Sequence, residues 1–387
     1  MTREQSALIQ LLGCALWEQT PGRDALRGVD PERLYEEAAR HMVAAMTASV
    51  LEDAAPPELD AAAMEPWKQA LGRSQYRQVM MDRERAALLD FLEEQGIWYL
   101  PLKGILLQEL YPRFGMREMA DNDILYDVAG RAALRQFMTA RGYEASPIRM
   151  EVHDVFFKPP LYSFEMHTRL FEESFDDTLF TYYKDTARLL RPDGDRQYGR
   201  HMSDEDFFLY FIAHAYRHYA REGTGLRTLT DCALILRRWE ASMDRDYIEG
   251  ELGTLGLRDF AHTLCALSHK LFDRPTDGDS PELTAAEQSM LEEVLSSGVY
   301  GTWEQKVDKA LRRLQPEGGE IRPGTKLRYV LGRLFPDSRR MRSYNAFVQK
   351  HPWSLPFVYV YRIVKCVPAL WGQTQNELRL LHRAGKD

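Results

Sequence analysis

Residues 98–128 read WYLPLKGILLQELYPRFGMREMADNDILYDV, and the order of pattern changes within them decides the fold. A short apolar run, IWYLPL from Ile97 to Leu102, suits a buried strand, and Lys103-Gly104 breaks it. ILLQELY then supplies one or two helical turns, and Asp121-Asn122-Asp123 opens a second strand-like run, DILYDV. Side chains at i and i+2 of a strand face the same way, so Asp121 and Asp123 are expected to project together from one side of its start. Two carboxylates so placed repel each other unless a cation lies between them, and Mg²⁺ (or Mn²⁺) takes oxygen ligands of this kind. The pair alone says little, because 58 acidic residues in 387 give about nine acid-x-acid occurrences by chance.

Outward from this stretch the pattern continues. GRAALRQFMTARGY reads as a helix closed by Gly142, while MEVHDVFFK and LYSFEMHTRLF read as strands joined at Pro159-Pro160. Glu165 and His167 alternate with Phe164 and Met166, so they share a face and offer a third carboxylate from a neighbouring strand. Asp127 shares the face of Asp123 but lies about 12 Å along the strand, too far to join it. Strands and helices thus alternate between roughly 96 and 172, and helical patterns flank them. On the N-terminal side Asp30-Pro31-Glu32 starts a helix, DAAPPELDAAAMEP is a linker candidate, and a long helix is expected from about Trp67 to Gln95. Downstream, SDEDFFLYFIAHAYRHYA is capped at Ser203 and places His214 and His218 at i, i+4. Arg227 and Asp231, also i, i+4, are expected either to pair on their helix or to face the cleft. The expected architecture is α+β: a helical region over 1–64, a core with a small mixed sheet over 65–190, and a helical domain over 200–387.

Composition narrows the partners. The formal charge of −8 conceals thirteen basic and three acidic residues after position 320, a net of +10 that leaves −18 on the rest. Such an end can meet an anionic surface (RNA, DNA or lipid) or cover the acidic body. The segment 353–371 is apolar, but Arg362, Lys365 and two prolines argue against a membrane-spanning helix and leave a surface or buried one. Four scattered cysteines without CxxC spacing argue against a zinc scaffold and fit a reducing cytoplasm, with contact at a membrane surface as the variant the basic end allows. The N-terminus reads as an amphipathic helix, not a signal peptide. Walker A, GxGxxG and GxSxG patterns do not occur.

Lys103-Gly104, Tyr111-Pro112, Arg117, Met119, Asp121, Asp123, Ile124 and Leu125, taken in order, resemble the bacterial uncharacterised nucleotidyltransferase group of the polymerase-β-type nucleotidyltransferase superfamily. Glu165 and His167 resemble its acid-x-His strand, and His214, His218, Arg227 and Asp231 its following helical element. LFPDSRRMRSYNAF and HPWSLPFVYVYRIV resemble its C-terminal end. The resemblance implies a Mg²⁺-dependent transfer of NMP from an NTP to an unknown acceptor, or a non-catalytic nucleotide-binding or scaffold protein that retains the fold. It implies Asp121, Asp123 and Glu165 as the catalytic metal site. Lys103, Gly104 and Arg117 would lie at the triphosphate, with His167, His214 and Arg227 lining the cleft. Most of the superfamily carries Gly-Ser or Gly-Gly where this chain has Lys103-Gly104.

Overall fold

A computed structural model describes residues 1–22, 24–54, 58–146, 153–172, 176–272, 282–315, 321–338, 341 and 346–369. Its centre is a five-stranded mixed sheet of β1 (Tyr99–Pro101), β2 (Asn122–Tyr126), β3 (Glu144–Ala145), β4 (His153–Lys158) and β5 (Tyr162–His167), ordered β1-β2-β5-β4-β3. Only β2 and β5 run parallel, with Asp123 opposite Glu165 and Leu125 opposite His167. Antiparallel β4 then sets His153 opposite His167 and Val155 opposite Glu165. Because side chains alternate across each strand, these two registers place Asp123, Glu165, His167 and His153 on one face. Ile124, Tyr126, Phe156, Phe164 and Met166 fill the other face, packed on Leu88 and Leu92 of α4 (Ala61–Glu94) and on Leu134 and Met138 of α6 (Arg131–Ala140). Each such side chain, fully buried, contributes about 1.5–3 kcal/mol. The polar face is thereby held rigid from behind.

The helices on the two flanks of the sheet are not separate in space. α1 (Arg3–Leu16), α3 (Ala44–Ala54) and the start of α4 share one core with α8 (Asp204–Arg221), α9 (Leu226–Trp239) and α11 (Arg258–Phe272). α4 spans both cores: Trp67 and Leu71 belong to the helical one, Met81 and Leu88 to the sheet. It begins earlier than its apolar pattern suggests, because Asp60 caps it by accepting the Ala63 N–H at 2.8 Å. The linker expected at DAAPPELDAAAMEP is therefore helical from Ala61 onward, with Pro66 inside the helix. Ser203 caps α8 as expected, accepting the Asp206 N–H at 3.1 Å. Further helices include α14 (Pro323–Leu334) and, after the short α15 (Ala346–Lys350), α16 (Leu355–Ala369). Among the described residues no helix is long and apolar enough to cross a membrane.

Candidate functional site

The turn from β1 into the four-residue helix α5 (Gly104–Leu107) sets the floor of a cleft. Lys103 takes φ 48°, ψ −117°, a left-handed conformation that side-chain-bearing residues rarely adopt. It directs the side chain onto the polar face of the sheet, where Nζ donates to Asp123 Oδ1 at 2.7 Å. His167 Nε2 meets the same oxygen at 2.7 Å. Burial alone would raise the Asp123 carboxyl, but Lys103 and His167 outweigh it and hold it well below the usual carboxylate range. For Asp121, just before β2, the charges of Lys103 and Arg227 offset less than its surroundings raise. Burial, then the charges of Asp123 and Glu165, push it up to about 7. Glu165 is raised for the same reasons, burial first and Asp123 next. Burial and then Lys103 lower His167 to about 4, so its ring is neutral near pH 7.

Helices α8 and α9 form the opposite wall. The cleft between wall and sheet measures about 350 Å³ and is lined by all nine residues singled out in the sequence: Lys103, Gly104, Arg117, Asp121, Asp123, Glu165, His167, His214 and Arg227. Burial drives the His214 imidazole well below its ordinary value, and Lys103 adds to the shift. His214 Nε2 lies 3.2 Å from His218 Nε2.

Three placements differ from the sequence reading or refine it. Asp231 does not pair with Arg227 along α9; it takes Arg117 in a buried two-point contact, Nε to Oδ1 and Nη2 to Oδ2 at 2.8 Å each. Tyr111 adds a 2.8 Å hydrogen bond to Oδ1. The paired arrangement follows from guanidinium geometry, whose fork matches a carboxylate. Arg117 thus reaches the cleft with Nε and Nη2 on Asp231 and Nη1 on Met119 Sδ at 3.0 Å. Arg227 instead donates to the Glu118 carbonyl at 2.9 Å, fixing α9 to the loop ahead of β2. Gly104 is closely approached: a Cβ there would lie 2.7 Å from Arg117 Nη1 and 2.8 Å from Met119 Sδ, so a larger residue would displace the ends of those side chains. Asp127 caps the turn at Ala129 and takes no part in the site.

The residues present fit a divalent cation. Two of the three carboxylates are pushed upward by burial and then by their neighbours' charge, and a metal between them relieves the second cause. The sequence reading missed His153, whose Nε2 lies 3.8 Å from Glu165 Oε2. Its signal was available in the turn: counting back from Pro159-Pro160 through a regular hairpin brings His153 opposite His167.

A small mixed sheet, with an Asp-x-Asp at the start of one strand beside an acid on its parallel neighbour and a helical wall over the cleft, defines a nucleotidyltransferase-type protein. Residues 27–273 match the family model described as "Uncharacterised nucleotidyltransferase", and the chain belongs to that family. The likeness read at LFPDSRRMRSYNAF and HPWSLPFVYVYRIV lies beyond the matched residues. No curated protein and no solved structure matches the chain.

Proposed function

We propose that the chain transfers a nucleoside monophosphate from an NTP to an acceptor and releases pyrophosphate, using Mg²⁺ (or Mn²⁺) held by Asp121, Asp123 and Glu165. The observation that carries this reading is the parallel register that sets Asp123 beside Glu165, with Asp121 raised by burial and then by the charge of both. A bound metal supplies Lewis-acid polarisation of the α-phosphate and neutralises charge as the pyrophosphate leaves. The chain's own groups do the rest. Lys103, whose Nζ lies on Asp123, would bind triphosphate as a point charge, and Arg117 would add positive charge behind Gly104. Glu165, its carboxyl raised by burial and by Asp123, either completes the metal site or, as the alternative role, accepts the acceptor's proton. His167, His214 and Arg227 orient the substrates.

A second reading has its own observation. The Lys103 ammonium already sits on Asp123 where a cation would bind, which suits a nucleotide-binding protein without catalysis. Incubating wild type and Asp123→Asn with α-³²P-labelled NTPs, Mg²⁺ and pools of protein, RNA and small-molecule acceptors separates the two. Transfer with pyrophosphate release, lowered at least ~100-fold in the variant, supports the enzyme. Nucleotide binding without release in every pool supports the second reading.

We propose as well that the basic end contacts an anionic lipid surface. Its support is a stripe on α16, where Phe357, Val360, Tyr361 and Val364 are 69, 62, 64 and 64 % exposed at helical spacing. On α14, Leu327 and Leu331 are also exposed, and the sequence from 321 onward carries the net +10.

A further inference from the structure

Besides the aspartate pair, the same sheet face gathers a second set of ligand atoms. His153 begins β4 opposite His167, and Glu165 lies two residues before His167 on β5. Their ligand atoms all lie within 4.8 Å of one another. Glu165 Oε2 is 3.8 Å from His153 Nε2 and 3.7 Å from His167 Nε2. Both separations exceed hydrogen-bond length. Both are near the ~3.4 Å edge expected between neighbouring ligands of a tetrahedral ion with bonds of ~2.1 Å. His167 is 2 % exposed, and its Nδ1 has no hydrogen-bond partner among the described residues. The ring is therefore set in place mainly by strand register and by its one contact with Asp123.

Donor chemistry decides which ion fits. Mg²⁺ demands oxygen ligands in an octahedron and retains waters, so two imidazoles in three ligands suit it poorly. Two imidazoles and one carboxylate, with room for water, are the donors of a first-row transition dication. We propose that His153, Glu165 and His167 bind one such ion, of the Zn²⁺ type, for which His167 Nε2 gives up its 2.7 Å contact with Asp123 Oδ1, and that Glu165 faces both this ion and the aspartate pair. The other close imidazole pair, His214 and His218, has no carboxylate completing a three-ligand set among the described residues.

The proposal goes beyond nucleotidyl transfer and is tested without nucleotide. The full chain, stripped of metal by a chelator, is titrated calorimetrically with Zn²⁺ and separately with Mg²⁺. One equivalent of Zn²⁺ should bind more tightly than Mg²⁺, and His153→Ala should weaken Zn²⁺ at least ~10-fold while leaving Mg²⁺ binding unchanged. Zn²⁺ binding no tighter than Mg²⁺, unchanged in His153→Ala, or lost in His214→Ala instead, overturns the proposal. Should His153→Ala fail to fold, wild type decides through Co²⁺: its visible bands should be displaced by Zn²⁺ and persist in excess Mg²⁺. Displacement by Mg²⁺ overturns the site. Because transfer activity is never the readout, failure here leaves the nucleotidyltransferase reading intact, and the reverse holds.

Discussion

Lys103 combines a left-handed backbone with an ammonium that is 17 % exposed, and each is costly alone. Backbone strain of this kind costs on the order of 1–3 kcal/mol. Its compensation is the ion pair with Asp123 at 2.7 Å. Lys103→Met keeps the strain and leaves buried Asp123 with only its His167 contact and no cation on it, a loss of about 3–5 kcal/mol. Lys103→Gly loses the charge but relaxes the backbone, and should recover about 1 kcal/mol of that in urea unfolding. Equal losses in the two variants would mean that the left-handed turn stores nothing. Asp121 supplies a pH signature. Its folded pKa of about 7 exceeds the ordinary 3.8, so the folded chain keeps a proton that the unfolded chain releases. That contribution is complete below about pH 4 and is lost as pH rises to 7. In metal-free protein, thermal melts should therefore show Asp121→Asn gaining on wild type by up to a few kcal/mol between pH 4 and 7.5. A difference that stays flat across this window contradicts the account of Asp121.

At the scale of elements, the Arg117–Asp231 contact ties the loop ahead of β2 to α9 and so sets the width of the cleft. Both groups are buried, with side chains 8 % and 6 % exposed. Arg117→Ala should destabilise by about 3–5 kcal/mol, because it leaves Asp231 buried with only Tyr111 and no cation. Joint replacement, Arg117→Met with Asp231→Leu, should cost much less than the two single changes added together. Additive losses in denaturant unfolding would show that the pair is not coupled. This pair also marks where the sequence stops being informative. Strand alternation made Asp121, Asp123 and Glu165 legible, since period two is a local property of DNDILY and SFEMH. The caps at Asp30 and Ser203 were legible for the same reason. Arg117 and Asp231 lie 114 residues apart, and nothing local distinguishes that pairing from the i, i+4 pair of Arg227 with Asp231. His153 falls between these cases: its meaning lies in hairpin register, which a single strand does not carry. The shared core of the N- and C-terminal helices is likewise a matter of packing between distant segments, invisible to periodicity.

Over the whole molecule, charge and apolar exposure separate along the chain. The family match ends at residue 273 and the described lining of the cleft at Tyr300, so the basic end from 321 onward lies outside both. An exposed apolar stripe on a helix is unstable in water unless something covers it. A net +10 over residues 321–387 favours an anionic partner, at about 1 kcal/mol per Lys or Arg held near a charged membrane. The full chain should therefore co-sediment with vesicles containing phosphatidylserine and not with pure phosphatidylcholine. Raising salt from 0.1 to 1 M shrinks the screening length from about 10 to about 3 Å, so binding should fall steeply. Replacing Phe357, Val360, Tyr361 and Val364 together by Ser touches only exposed side chains, so it should leave the fold intact and abolish the residual, salt-resistant binding. Equal binding to both vesicle types would remove the electrostatic part of the proposal. A concentration-dependent dimer in sedimentation, dissolved by the same four substitutions and indifferent to vesicles, would instead assign the stripe to a second copy of the chain. The acidic body makes the lipid geometry specific: with −18 before residue 321, the cleft-bearing part is repelled by the surface that the end attracts.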